Sequence, residues 1–436
     1  VVSAILRSRT DRRKRVREPL PPGAWSRLAA CTAAAALLQL DGTLITVALP
    51  SVAHGLKVSN GSTAVVLSAY FVAYAIALLP AGSLVDRFGA RRLALAGLVV
   101  FAIGAGFGAV APNMGVLIAS RVVQGLGAGL VSPAALAGAV SGFPPARRGA
   151  ALGIWGASAG ISNLLGPVLG GLLTVGLGWR ADWWALVPMA LVAAAAILRE
   201  VPSTVHGEEA RHPVLNRTVL DASFVAALTF AVMIGCFYLA EQYLQRAAGF
   251  SALGASAVLV VVALLVGLAA PLAGRLVDER GERVPAVAGF VAAAIGLVVL
   301  GIPGMPLHNG VTLLPLIPVG LGLGMLFVPT SRAALNATPL SAHGRTSAVL
   351  SVGRLLGAAV GAGLAGAALA GGVDASKTHV ALLIACGICV LVGIPASSRL
   401  GRGAPPPGDL VGSDSPPSGD LVGRDEPYYG RATPAG

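Results

Sequence analysis

The chain has 436 residues, 55% of them hydrophobic and only 11% charged, with 58 glycines and a formal net charge of +12. Apolar stretches of about 20 residues, long enough to cross a bilayer core ~30 Å thick, recur along almost its whole length and exclude a soluble multidomain protein. The basic residues fall in short clusters between those stretches, which excludes nucleic acid as a partner and points to membrane topology as the reason for the charge.

In chain order, "RSRTDRRKRVR" (Arg7 to Arg17) comes first and is placed as a signal-peptide n-region would be. The apolar segment behind it carries Asp41 and runs past signal-peptide length, so it reads as a retained first span. Further apolar segments follow, giving 28–50, 63–83, 93–111, 114–139, 150–173, 182–198, 219–240, 254–274, 285–302, 311–331, 346–371 and 379–397. Backbone groups in lipid must be satisfied within their own segment, so these are twelve predicted helices. Counted by loop, 25 of the 31 Lys and Arg lie on one side of the membrane and four on the other (Lys57, Arg180, Arg246 and Lys377), with Arg121 and Arg354 inside spans. The basic side is the expected cytoplasmic side, with both termini there. The four cysteines, Cys31, Cys236, Cys386 and Cys389, all lie in apolar segments and read as small hydrophobes, not as a disulfide framework or a redox pair.

The sequence repeats itself. "GSLVDRFGARR" (82–92) and "PLAGRLVDERGER" (271–283) share G-x-L-V-D, with Gly82 matching Gly274 and Asp86 matching Asp278 at an offset of 192. "GLGAGLVSP" (125–133) parallels "GLGLGMLFVP" (320–329) at an offset of 195. Two halves on one plan are the build of transporters that work by alternating access, with a site near the midplane where the halves meet. The expected organisation is a basic segment at 1–27, a six-helix bundle at 28–198, a polar linker at 199–217, a second bundle at 218–397 and a disordered cytoplasmic tail at 398–436, in which "GDLVG" occurs twice.

The residues resemble the major facilitator superfamily, and within it the drug:proton antiporter branch. The resemblance runs from about 28 to 397 and rests on "LDGTLITVALP" (40–50), "GSLVDRFGARR", "RVVQGLGAG" (121–129), "GISNLLGPVLGG" (160–171) and "YLQRAAGFSALGAS" (243–256). It implies an all-α membrane protein in two pseudo-symmetric six-helix bundles. It also implies proton-driven export of drugs or amphipathic secondary metabolites, with a small-molecule substrate and protons as partners within the lipid bilayer of a cell membrane. No enzyme activity, cofactor or metal is expected, and the protein is expected to be a monomer. The most similar branch has fourteen spans, where this chain has a short linker, and Thr46 and "WRADWWALVP" (179–188) depart from its usual residues. A proton symporter or facilitator importing a small metabolite is the alternative; a membrane enzyme or sensor is a third class, disfavoured because the six histidines are scattered without metal-binding spacing.

Three groups of residues carry the expected function. In the first, a rise of 1.5 Å per residue sets Asp41 about 20 Å deep from the basic side and Arg121 about 10 Å from the other, which is one level in the membrane. Ionisable groups at that depth are costly unless paired, and by default mark a proton or substrate path. Asp41 is the expected proton carrier, Arg121 its tuning cation and Gln124, one turn on, the residue that orients Arg121; snorkelling of Arg121 to the interface is the plainer alternative. In the second, the resemblance implies that Asp86 and Asp278 latch neighbouring helix ends through Arg87, Arg92 or Arg147; Gly82 belongs to the same motif, and Gly89 reads as a residue placed for a backbone turn that a side chain would hinder. In the third, Gly160, Gly166, Pro167, Gly170 and Gly171 form the antiporter motif of span 5, which the resemblance implies seals the cavity against proton leak. Candidate cavity groups are Tyr70, Asn163, Tyr238, Glu241, Gln242 and Arg354, with Glu241 expected as a solvated charge near the surface.

Overall fold

The computed structural model describes residues 20, 22–141, 143, 148–203, 215–303, 313–338, 343–370 and 372–400. The basic segment 7–17, Arg147, most of the 199–217 linker and the tail from 401 lie outside the described residues, as do the side chains of Asp86, Asp278 and Asn163 and the surroundings of Gly160.

The first half consists of α1 (Ala24–Gly55), α2 (Ala64–Phe88), α3 (Ala90–Ala109), α4 (Met114–Ser141), α5 (Arg148–Leu177) and α6 (Arg180–Glu200). The second consists of α7 (Arg217–Arg246), α8 (Ala252–Arg280), α9 (Arg283–Leu300), α10 (Leu313–Gly324), α11 (Phe327–Asn336), α12 (His343–Ala368), α13 (Ala375–Ile388) and α14 (Ile394–Ser397). Among the described residues, eleven helical segments are long and apolar enough to cross a membrane, and the 30-residue α5 is the twelfth helix of that length. Large apolar side chains such as Leu79, Val192, Leu268 and Leu391 point outward, as a lipid-facing surface requires.

Two predicted spans differ from a plain helix. Span 10 is split into α10 and α11 by a turn at Met325 and Leu326. The repeat explains where: the run from the first glycine to the proline is one residue longer in "GLGLGMLFVP" than in "GLGAGLVSP", and Pro329 has no N–H for the carbonyl of Met325. The last span relaxes into a π-helical turn, Cys389–Gly393, between α13 and α14.

Both halves pack alike. α4 lies along α2 and α3, as α10 lies along α8 and α9; α5 lies along α1, as α12 lies along α7. Glycines make these approaches possible. A Cβ on Gly97 would lie 2.7 Å from the carbonyl oxygen of Gly127, and one on Gly289 would lie 2.7 Å from that of Gly322. Both are closer than real Cβ contacts, so only glycine lets the backbones meet. The flanking glycines 125 and 129 face α2 while 320 and 324 face α8, so the two G-L-G-x-G runs do the same packing task.

The halves touch at one end of the bundle, where the sparsely charged loops lie. Ser68 Oγ on α2 donates to the carbonyl of Ala359 on α12 at 2.8 Å, and Gln245 Nε2 on α7 donates to the carbonyl of Val47 on α1 at 2.9 Å. Thr63 Oγ1 meets Tyr238 Oη at 2.9 Å and accepts from Gln242 Nε2 at 3.2 Å. Gly61 and Gly366 pack backbone to backbone, and Gly171 of α5 sits against Ser256 of α8. These contacts close that end.

Candidate functional site

Asp41 and Arg121 meet. Asp41 lies midway along α1 and Arg121 in the first third of α4, and both are fully buried. Arg121 Nη1 stands 2.8 Å from each carboxylate oxygen of Asp41 and 3.0 Å from Gln124 Oε1. Arg121 Nε donates to the carbonyl of Val66 at 3.4 Å, and the guanidinium carbon lies 4.2 Å from the centroid of the Tyr70 ring. Tyr70 Oη donates to the carbonyl of Leu38 at 3.1 Å, fixing the ring beneath the cation. Snorkelling of Arg121 is thereby excluded. An arginine at this depth is tolerable because the carboxylate cancels its charge while an amide, a carbonyl and an aromatic face take up part of its remaining donor capacity.

Gln124 and Arg121 are one helical turn apart, so the contact follows from sequence spacing on α4. The Asp41 contact does not; it requires α1 and α4 to pack, which Gly125 and Gly129 assist by letting α4 approach α2 closely beside α1. Arg121 Nη2 and Gln124 Nε2 have no hydrogen-bond partner among the described residues, so two buried donors remain for another acceptor.

The α5 glycines lie next to this pair. A Cβ on Gly166 would collide with Thr43 Oγ1, and one on Gly170 would lie 2.5 Å from the carbonyl oxygen of Leu44. Thr43 and Leu44 follow Asp41 by two and three residues. Pro167, also buried, sits between the two contacts. The motif therefore holds α5 against the part of α1 that carries the carboxylate.

The cavity candidates separate. Tyr70 belongs to the Arg121 cluster, Tyr238 and Gln242 bind Thr63 across the seam between the halves, and Arg354 Nη2 donates to Ser331 Oγ at 2.9 Å between the rings of Phe230 and Phe327. Glu241 corrects the expectation of a solvated surface charge. It is fully buried, its Oε1 accepts from Gln245 Nε2 at 3.3 Å, and its Oε2 has no partner among the described residues. Depth along the helix was the wrong measure, because α7 packs on α1 at the closed end and removes its last turns from water.

Of the latch residues, Gly89 has φ 81, a left-handed conformation that favours glycine, and Gly281, its match at an offset of 192, has φ 73. Both end a helix at the same point of the repeat. Gly82, Arg87 and Arg92 are exposed, and neither arginine forms an ion pair with another described side chain. Asp182 was missed by the sequence reading. It is buried in α6, where its Oδ2 accepts from Thr174 Oγ1 of α5 at 2.6 Å; the signal was an acid inside the aromatic run "WRADWW" (179–184).

The comparisons decide the family. The profile described as Major Facilitator Superfamily matches residues 31–362. The chain belongs to that superfamily. It is a multi-pass membrane transporter of small molecules, not an enzyme. Among similar proteins is the multidrug resistance protein Stp of Mycobacterium tuberculosis, 27% identical over 78% of this chain and 75% of its own. The puromycin resistance protein pur8 of Streptomyces alboniger is 30% identical over 79% of this chain and 81% of its own. The riboflavin transporter RibZ of Clostridioides difficile is 25% identical over 74% and 83%. A solved bacterial homologue of the human lysosomal transporter Spinster, inward-facing and occupied, shares the fold with a TM-score of 0.75 at 16% identity, covering 88% of this chain and 98% of its own.

Proposed function

We propose that this transporter exports drugs or amphipathic secondary metabolites in exchange for protons, with Asp41 as the proton carrier. The buried Asp41–Arg121–Gln124 cluster carries the reading. A carboxylate neutralised by one arginine can exchange that partner for a proton, and each exchange changes what holds α1 to α4. The relatives named for resistance to drugs and to puromycin favour an exported, drug-like cargo. With the basic loops cytoplasmic, the closed end faces outward. In the cycle, cargo entering from the cytoplasm displaces the proton from Asp41, and the unpartnered Arg121 Nη2 and Gln124 Nε2 offer donors to it. Opening to the outside lets the cargo leave and a proton return. The membrane potential adds ~2.3 kcal/mol per charge at 100 mV.

The likeness to a riboflavin transporter favours one second reading, uptake of a metabolite by the same fold. The test uses acidified inside-out vesicles with a panel of cationic and neutral drugs. Under the export reading a drug dissipates the proton gradient with the wild type and not with Asp41→Asn. Concentrative uptake of a solute into right-side-out vesicles, with no drug moving protons, would establish import instead.

A further inference from the structure

At the closed end, a cavity of about 460 Å³ opens between the halves. His54, Lys57 and Ser59, at the α1–α2 connection, line one side, and Arg246, Ala370 and Gly372 line the other. We propose that this cavity binds a small oxyanion, a phosphate or carboxylate group, held between Lys57 of one half and Arg246 of the other.

Four observations converge. The lining contains no acidic residue, and Asp374, two residues on from Gly372, is taken by Lys377 at 3.6 Å and by the N-terminus of α13. Arg246 Nε and Nη2 are buried without a partner among the described residues, and this pair of N–H groups is the edge of a guanidinium that grips an oxyanion with two parallel bonds. Lys57 has φ 54 and is the one non-glycine residue at positive φ among those described. Glycine or asparagine would sit there with less strain, so a lysine at this position points to a use for its ammonium group. Finally, this face has only four Lys and Arg in its loops by sequence. Two of them line the cavity, and a third, Lys377, reaches the carbonyl of Gly372 at its rim at 3.4 Å.

Like charges gathered from two bodies repel, and an anion between them reverses the sign of that interaction. An oxyanion bound here therefore favours closure of this end, a consequence that rests on the alternating-access reading; the binding site itself does not.

The test uses the full chain in nanodiscs of zwitterionic lipid, with radiolabelled inorganic phosphate and thermal unfolding as readouts and chloride at matched ionic strength as control. Saturable binding of one phosphate per chain is expected, with a rise in unfolding temperature above the chloride control. Arg246→Gln should weaken binding at least tenfold. Lys57→Gly should raise the unfolding temperature without phosphate, by relieving the backbone, and abolish the further rise on adding phosphate. If free phosphate has no effect but discs containing phosphatidylglycerol stabilise the wild type and neither variant, the oxyanion is a lipid headgroup and the site stands. The proposal is overturned if neither source acts beyond chloride, or if both variants respond as the wild type does. No transport enters the assay, so failure of the export reading would leave its result unchanged.

Discussion

Removing both charges of the buried pair should cost this protein clearly less than the sum of removing each alone. In Asp41→Ala, Arg121 keeps Gln124, Val66 and the Tyr70 ring but loses the group that cancels its charge, at a position with no solvent exposure. Breaking a buried pair in this way costs about 3–5 kcal/mol, whereas replacing both members with apolar groups is often neutral. Asp41→Ala combined with Arg121→Met leaves Gln124 Oε1 and the Val66 carbonyl without their donor, each about 1–3 kcal/mol if unrelieved. The cation–π contact adds roughly 2 kcal/mol of loss at most. Arg121→Met alone incurs those same losses, so they cancel in the cycle, and what remains is the cost of an uncompensated buried charge: a favourable coupling energy of about 2 kcal/mol or more. Thermal or denaturant unfolding of the four proteins of this cycle in one detergent measures it. A coupling energy near zero would refute the buried pair, since an Asp41 and Arg121 that do not touch would destabilise additively.

Other positions test other parts of the structure. Gly166→Val places a branched side chain against Thr43 and Leu44, so the protein should insert and fold but lose most of its transport, as α5 is forced off α1 beside Asp41; near-normal transport in vesicles would contradict that packing. Gly89→Ala and Gly281→Ala should each cost about 1–3 kcal/mol, read from unfolding, because both combine positive φ with extended ψ, a region only glycine adopts freely, and the costs should be similar because the positions are equivalent. Glu241→Gln keeps the shape of a buried, cation-free side chain and removes the charge-bearing group. It should match or exceed the wild type in stability and retain drug-driven proton movement, whereas loss of coupling would move the proton site from α1 to α7.

Much of the architecture was legible in the sequence because its causes are local. Span length follows from bilayer thickness, and the offsets of 192 and 195 carried over to packing, since glycine at 97 and 289 or at 127 and 322 meets the same steric need in each half. Depth arithmetic brought Asp41 and Arg121 to one level, and the helices that carry them then packed. It failed for Glu241 because exposure there depends on which end of the bundle is closed, a relation between halves that no single span encodes. Asp182 was obscured for a related reason: its partner Thr174 lies across a loop, and neither residue alone departs from the pattern of a membrane helix. The break in span 10 was present as one extra residue before Pro329, visible once the two glycine runs are aligned to their prolines.

The central claim is that cargo and proton exchange at Asp41, and the most direct measurement is proton release by the purified protein on binding a drug. A pH indicator in weakly buffered detergent solution, titrated with compounds shown to bind, should report close to one proton per chain for the wild type and none for Asp41→Asn that still binds the drug. Binding without proton release in the wild type, or equal release from the variant, would contradict the account.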